Sequence, residues 1–275
     1  MSLLALALAG RGLVEPEEPV VRADDEALLR GRAAFETLRV YDGRPFRLEA
    51  HLDRLSASAA SIGLPALERG SLEELVPLVL PFAGEGAVLR LVWTGGSDAA
   101  PPAGLALLSA VPEWIEDVRM RGARAVSLLG VRAAVPWLLP GVKSTSYAVN
   151  MAAEAEAKRR GADEAIFVDG DGIVLEGTVT NVWWRKDATL FTTSVDLGIL
   201  AGVTRAALLE VAPSCGYGVE EGMFQLEELR EADEAFTSSS VREVMPLVEI
   251  DGRRLELGPA ADALQRALRD LAAKV

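Results

Sequence analysis

The sequence predicts a mixed α/β protein of the α+β kind, built of two units, and three observations carry this. Stretches in which apolar and polar residues alternate, the mark of half-buried strands, recur along the chain and close on Asp-Gly turns at Asp42-Gly43 and Asp169-Gly170-Asp171-Gly172. Between them lie segments with apolar residues three and four apart, such as Leu52, Leu55, Ala59 and Ile62, which mark helices. The pattern pauses at a charged stretch, 113–120, that reads as a linker between a small unit, 1–112, and a larger one, 121–275.

Taken in order, Leu3 to Leu8 and Val20 to Arg22 read as short strands around a turn punctuated by Gly and Pro. Ala33 to Tyr41 alternates and enters the Asp42-Gly43 hairpin before Pro45 to Leu48. A helix follows from His51 to Ile62, ended by Gly63, and Ser71 reads as the cap of a second one running to about Leu80. Ala87 to Thr94 and Leu105 to Ala110 are strands on either side of a Gly, Ser and Pro rich loop. Beyond the linker, Ala125 to Leu129 is a strand. Ser146 to Arg160 is a helix whose Glu154–Lys158 and Glu156–Arg160 pairs have i,i+4 spacing. Ala165 to Val168 and Ile173 to Glu176 form the second hairpin, and Val179 to Arg185 and Thr189 to Thr193 continue as strands. Helices start near Thr204 and Leu226, Ala235 to Thr237 is a strand, and Pro259 to Ala273 is an amphipathic terminal helix.

Composition narrows the function. The net charge of −13 argues against sequence-independent nucleic-acid binding, which needs a basic surface to displace counterions. With His51 the only histidine and Cys215 the only cysteine, a metal site rich in either is excluded, and only an all-carboxylate site is left open. The apolar opening, Ser2 to Ala9, lacks the basic flank of a signal peptide, and no run reaches the ~18 to 20 apolar residues needed to span a bilayer. A soluble, cytoplasmic protein with neither nucleic-acid nor membrane partner is expected.

Against this background Lys143 stands out. Lys158, Lys186 and Lys274 each read as solvated: at a helix C-terminus, in a charged turn, and next to the end of the chain. Lys143 instead follows a Pro140-Gly141 turn among small and hydroxylated residues, where an amine serves as a nucleophile, although a surface lysine near a helix start has the same local pattern. Three stretches suit a phosphate: Arg54 with its planar fork, the amides at Gly202-Val203-Thr204 at a helix start, and the hydroxyls of Thr237 to Ser240. Each also has a plain reading, as a surface arginine, an ordinary N-cap and a polar loop. Glu176, at the end of an apolar strand, reads equally as a carboxylate delivered to a pocket or as a charge that keeps a strand edge from aggregating.

Together these residues carry a resemblance. The series Phe35-Glu36-Thr37-x-Arg39, His51-Leu52-x-Arg54-Leu55, Gly141-x-Lys143-Ser144-x-x-Tyr147, Gly161 to Ala165, Glu176-Gly177-Thr178 with Asn181, Gly198 to Arg205, and Ser239-Ser240 to Pro246 resembles the motif series of class IV, or fold-type IV, aminotransferases. That family includes branched-chain and D-amino-acid aminotransferases and aminodeoxychorismate lyases. The resemblance implies a small N-terminal α/β domain, a larger C-terminal domain with a mainly β core and flanking helices, pyridoxal 5′-phosphate as cofactor, and a homodimer. It implies that Lys143 forms the Schiff base with the cofactor aldehyde, Glu176 pairs with the pyridine nitrogen, and Tyr147 bonds the phenolic oxygen. Arg54, the amides of Val203 and Thr204, and Ser239 and Ser240 would hold the phosphate, and Asn181 would also bind the cofactor. Arg39, with Arg30 and Arg90, would lie on the substrate side, a guanidinium being suited to bidentate recognition of a carboxylate.

The chain departs from the family's pattern in its substrate elements. Gly31-Arg32-Ala33 replaces a common Gly-Asp-Gly, Arg30 stands where branched-chain enzymes carry an aromatic residue, and the loop after Thr94 lacks the Arg-x-His of D-amino-acid enzymes. The implied activity is amino transfer between an amino acid and a 2-oxo acid. The alternative is the aminodeoxychorismate lyase reaction, which releases pyruvate and 4-aminobenzoate. Trp184-Arg185-Lys186 resembles the lyases and Tyr147 the transaminases. A non-enzymatic cofactor-binding module is disfavoured by the presence of both Lys143 and Glu176.

Overall fold

Alternating strands separated by short polar turns collapse into sheets when one face can be covered, and the chain does this twice. The computed structural model describes residues 2–130 and 138–274. It divides into one unit of Met1–Pro112 with Val142–Tyr147 and another of Glu113–Gly141 with Ala148–Lys274.

The first unit contains β1 (Leu3–Leu8), β2 (Gly12–Val14), α1 (Glu26–Arg30), β3 (Ala33–Tyr41), β4 (Arg44–Pro45), α2 (Leu48–Ser61), α3 (Arg69–Glu73), α4 (Val76–Val79), β5 (Gly86–Thr94) and β6 (Gly104–Ala110). Its sheet runs β2-β1-β6-β5-β3-β4 and every pairing is antiparallel. β3 and β5 pair along their whole length, from Ala33 opposite Thr94 to Tyr41 opposite Gly86. Because side chains alternate along a strand, Ala34, Leu38 and Val40 of β3 enter a core with Leu52, Leu55 and Ala59 of α2, while Phe35, Thr37, Arg39 and Tyr41 take the other face.

Three expectations for this unit need correction. Val20 to Arg22 is not a strand. Left-handed Gly10 and Gly12 turn the chain back at once, so Gly12–Val14 pairs with β1, and Val20 and Val21 pack as side chains against Leu6, Leu8 and Leu105. Ser71 is no cap, since its hydroxyl donates to the Glu68 carbonyl. The expected helix is also divided into α3 and α4, because Pro77 has no N–H with which to continue α3. At five residues α1 is too short to show a helical period in the sequence, and Asp25 starts it by accepting from the Ala27 N–H at 2.8 Å while its other oxygen accepts from Thr94 Oγ1 at 2.7 Å.

The second unit contains α5 (Trp114–Arg121), β7 (Ala123–Leu129), α6 (Ala148–Arg159), β8 (Glu164–Val168), β9 (Val174–Gly177), β10 (Asn181–Lys186), β11 (Thr189–Thr193), α7 (Val203–Val211), β12 (Gly218–Gly222), α8 (Leu226–Arg230), β13 (Glu234–Ser239), β14 (Glu243–Ile250), β15 (Arg253–Arg254) and α9 (Pro259–Ala273). The sheet order is β12-β11-β10-β13-β14-β7-β8-β9, with β15 on β14. Parallel pairs β11/β12, β7/β14 and β7/β8 make it a mixed sheet. Residues 113–120, expected to be a linker, are helical instead: α5 buries only Ile115 and Val118, an apolar stripe too thin to stand out among its charges. Among the described residues no helix is long and apolar enough to cross a membrane.

The helix expected from Ser146 begins at Ala148, because the preceding residues are bonded elsewhere. Ser144 bridges Ala34 in antiparallel fashion, and the Thr145 N–H donates to the Ala33 carbonyl at 2.9 Å. Thr145 and Ser146 hydroxyls both donate to the Gly31 carbonyl, at 2.8 and 3.0 Å. Gly31 closes α1 at φ 66°, and a Cβ there would stand 2.9 Å from Ser146 Oγ and 3.2 Å from Ser146 Cα. Gly31→Ala therefore combines backbone strain with displacement of the Lys143 segment and should cost about 1–3 kcal/mol in urea denaturation. An unchanged midpoint would show that the segment is not seated on this turn.

Candidate active site

Lys143 leaves the chain at a peptide held on both sides. Its N–H donates to Ser58 Oγ of α2 at 3.1 Å, and its carbonyl accepts the Phe35 N–H of β3 at 3.2 Å. The ammonium lies 4.6 Å from the centre of the Phe35 ring, and the Arg90 guanidinium lies 5.3 Å from the same centre. Tyr147 meets that ring edge-on at 5.4 Å. Phe35 thus gathers Lys143, Tyr147 and Arg90. Arg39 shares the face, stacked on Tyr41 at 5.6 Å, and Arg90 lies directly opposite Thr37. Arg30 does not join this group: it is exposed at the last turn of α1.

On the other face of β3, Glu36 is fully buried. Its carboxylate accepts Arg54 Nε and Nη2, both at 2.7 Å, and pairs with His51 Nδ1 at 2.7 Å. Burial pushes the carboxyl up, but the hydrogen bonds from Arg54 and His51, with the Arg54 charge, outweigh it and hold Glu36 at about 2. His51 is lowered, mainly by burial and further by the Arg54 and Lys143 charges, with Glu36 opposing. His51 is therefore neutral, with Nδ1–H donated to Glu36. Among the described residues its buried Nε2 has no hydrogen-bond partner, and a bare lone pair there costs less than an unpaired cationic N–H would. Two of the five N–H groups of Arg54 are committed to Glu36.

In the second unit, Glu176 lies near the end of β9, 6% exposed, and its Oε2 accepts the Leu200 N–H at 2.9 Å. Asn181, at the start of β10, donates Nδ2 to the carbonyl of the same residue at 2.9 Å. One peptide is thus gripped at both ends. Two residues on, Gly202 is the N-cap of α7, and a Cβ there would stand 2.0 Å from Asn181 Oδ1. The cap is a glycine with no side-chain oxygen to offer, and the amides of Val203 and Thr204 lie at the positive end of the helix. Asn181 shapes this terminus by packing on it. At the end of β13, Ser239 Oγ accepts the Arg242 N–H at 3.2 Å, and half-buried Ser240 follows.

Glu36 with His51, and Glu164 with Arg242, are not legible as pairs in the sequence. A signal existed for Glu36, the one charged residue on the apolar phase of β3. Trp184, whose surroundings resemble the lyases, is 2% exposed and packs on Phe191 and Phe224, so its ring is core.

The chain is similar to known proteins over nearly its whole length. A family model described as amino-transferase class IV matches residues 33–250. A Mycobacterium tuberculosis protein named bifunctional aminodeoxychorismate lyase / D-amino acid transaminase is 36% identical over 268 residues, covering 91% of this chain and 92% of that one. A putative branched-chain-amino-acid aminotransferase of Methanocaldococcus jannaschii is 33% identical over 279 residues, 95% and 94% of the two chains. Among solved structures, a hypothetical aminotransferase from Mycobacterium tuberculosis in its PLP-bound form superimposes with a TM-score of 0.91 at 33% identity, covering 98% of each chain.

The buried Glu36 cluster makes an acid-labile contribution to stability. A carboxyl held at about 2 rather than its ordinary 4.5 stabilises the fold fully above pH 4.5, and that contribution is lost as pH falls toward 2. His51, also depressed, acts in the same direction below its ordinary 6.5. Urea titrations of wild type and Glu36→Gln should therefore show a stability gap that shrinks by about 3 kcal/mol between pH 5 and pH 2. A gap independent of pH would mean that Glu36 is not ionised in the folded protein.

Proposed function

The chain belongs to the class IV aminotransferase family and uses pyridoxal 5′-phosphate, and from this premise we propose that it moves an amino group between an amino acid and a 2-oxo acid, with Lys143 as the catalytic residue. The residues present fit the cofactor's chemistry. Lys143 offers an amine to the aldehyde, buried Glu176 a carboxylate to the pyridine nitrogen, and Tyr147 a phenol to the phenolic oxygen. The uncapped amides of Val203 and Thr204, the Arg54 guanidinium and the Ser239-Ser240 turn suit the phosphate. Asn181 supports this set by fixing Leu200 and Gly202. The observation that carries the reading is the pinning of Lys143: the chain gives up a helical turn to hold this lysine on β3 and α2.

When bound, the cofactor supplies an electron sink for the pair released at the substrate Cα. The chain's part is to place groups around that event. Glu176 would hold a proton at the pyridine nitrogen, and the Lys143 amine would take the substrate Cα proton as base and give it back as acid. Arg39 and Arg90, on the same sheet face as Phe35, bind the substrate carboxylate. Exposed Arg30 has a weaker claim to that role. The aminodeoxychorismate lyase reaction is retained as the second reading because the Mycobacterium tuberculosis relative carries both names. A cytoplasmic homodimer is the proposed working form, with neither nucleic-acid nor membrane partner.

Three measurements test these assignments. Protein incubated with the cofactor should turn yellow, and borohydride should fix cofactor mass on the peptide containing Lys143; label on any other lysine would displace it from the role. Single amino acids should convert the cofactor from its aldehyde to its amine form, with aminodeoxychorismate inert; release of 4-aminobenzoate with no such conversion would favour the lyase. Glu176→Gln should retain the cofactor yet turn over about 100-fold more slowly, about 3 kcal/mol of transition-state stabilisation. Equal losses of binding and turnover would make Glu176 a structural residue.

A further inference from the structure

We propose that Glu164 and Arg242 form a yoke that positions two turns of the second unit, the one joining Glu176 to Asn181 and the one bearing Ser239 and Ser240, in the geometry that cofactor binding needs. The inference rests on the reading that these residues hold the cofactor. It assigns a role to two residues that have none in that reading.

Glu164 opens β8 and is 3% exposed. A carboxylate so deeply buried is costly unless its lone pairs are met, and here both oxygens are saturated. Oε1 accepts the Thr178 N–H at 3.2 Å, Thr178 Oγ1 at 2.7 Å and the Ala165 N–H at 3.1 Å. Oε2 accepts Thr180 Oγ1 at 3.2 Å and Arg242 Nη1 at 2.7 Å. Most of these donors belong to the turn 178–180, which the Gly177 N–H closes on the Thr180 carbonyl at 2.8 Å. The turn has no slack: a Cβ at Gly177 would stand 2.1 Å from Thr180 Oγ1 and 3.3 Å from Glu164 Cδ.

What the turn joins gives it consequence. Glu176 and Asn181 flank it and hold the N–H and carbonyl of Leu200, two residues before the N-cap of α7. A shift at Thr178 or Thr180 therefore passes through Leu200 and Gly202 to the amides of Val203 and Thr204. Arg242 extends the same restraint to the other turn. Its guanidinium is fixed by Glu164 and stacks on Trp114 at 5.3 Å, while its backbone N–H holds Ser239 Oγ. The next residue, Glu243, is left-handed at φ 54° and is clamped by Gln265 Nε2 at 2.8 Å and Arg119 Nη2 at 3.1 Å. Neither side of this turn can drift while the yoke is intact.

The test compares dissociation constants for pyridoxal 5′-phosphate and for free pyridoxal, which lacks the phosphate, alongside urea midpoints of the cofactor-free proteins. Glu164→Gln replaces an acceptor with an amide donor facing other donors, and should raise both constants about tenfold or more. Arg242→Met should raise the constant for the phosphorylated form about tenfold and that for pyridoxal far less, because the turn it holds bears Ser239 and Ser240. Arg242→Lys should recover part of that loss. Should Glu164→Gln fail to fold, Thr178→Val removes one hydroxyl donor and should raise both constants by a smaller factor. Variants with lowered urea midpoints but wild-type constants would overturn the yoke and leave the pair purely structural. Wild-type protein that bound neither compound would instead overturn the underlying cofactor reading, and the yoke with it.

Discussion

The short run from Val142 to Tyr147 has neither helix nor strand of its own, and what fixes it is an antiparallel bridge to β3. The Phe35 N–H reaches the Lys143 carbonyl, the Thr145 N–H reaches the Ala33 carbonyl, and Ser58 receives the Lys143 N–H from the opposite side. A lysine is the side chain with most to lose on being ordered, about 2 kcal/mol of rotamer freedom in addition to its backbone. Pinning the peptide at both ends meets part of that cost at the level of the fold, before any ligand arrives. The hydroxylated residues after Lys143 serve the same end: Thr145 and Ser146 both donate their hydroxyls to the Gly31 carbonyl.

Buried carboxylates recur as the second device. Glu36 in one unit and Glu164 in the other are almost wholly shielded, and each is met by an arginine, Arg54 or Arg242. As stability elements such pairs are poor choices, since desolvation consumes most of what the attraction returns and an apolar substitute of the same volume often does as well. Their value lies in direction. A guanidinium held side-on by a carboxylate has one orientation, and a carboxylate saturated by a turn's hydroxyls and amides fixes that turn. In each unit a costly ion pair is thus exchanged for a defined geometry.

The sequence was most legible where a single period governs. β1, β3 and α9 lie where alternation or helical spacing places them, residue for residue. It was least legible where a competing local rule intervened. Pro77 divides an otherwise helical run, the thin stripe of α5 is lost among charges, and β14 carries Pro246, which as a rule argues against a central strand. Pro246 is tolerated because the pairing of β14 with β7 begins only at Leu247. For the candidate site the division is between a residue and its support. Lys143 and Glu176 are visible from their immediate neighbours. Glu36 finds His51 at a separation of 15 residues, and Glu164 finds Arg242 at 78, distances over which no local pattern carries information.

Pattern alone leaves the parity of β3 undecided, and its register with β5 fixes which residues share a face. Arg90 lies opposite Thr37, so it shares a face with Phe35, Arg39 and Tyr41, while Glu36 and Leu38 point into the core. On that face each arginine is stacked on an aromatic ring, Arg39 on Tyr41 and Arg90 on Phe35. The ring that holds Arg90 also receives Lys143. An aromatic residue at position 35 therefore ties the placement of the Lys143 amine to that of the Arg90 guanidinium. A slip of one residue in β3 would break both at once by turning Phe35 into the core and bringing Glu36 out.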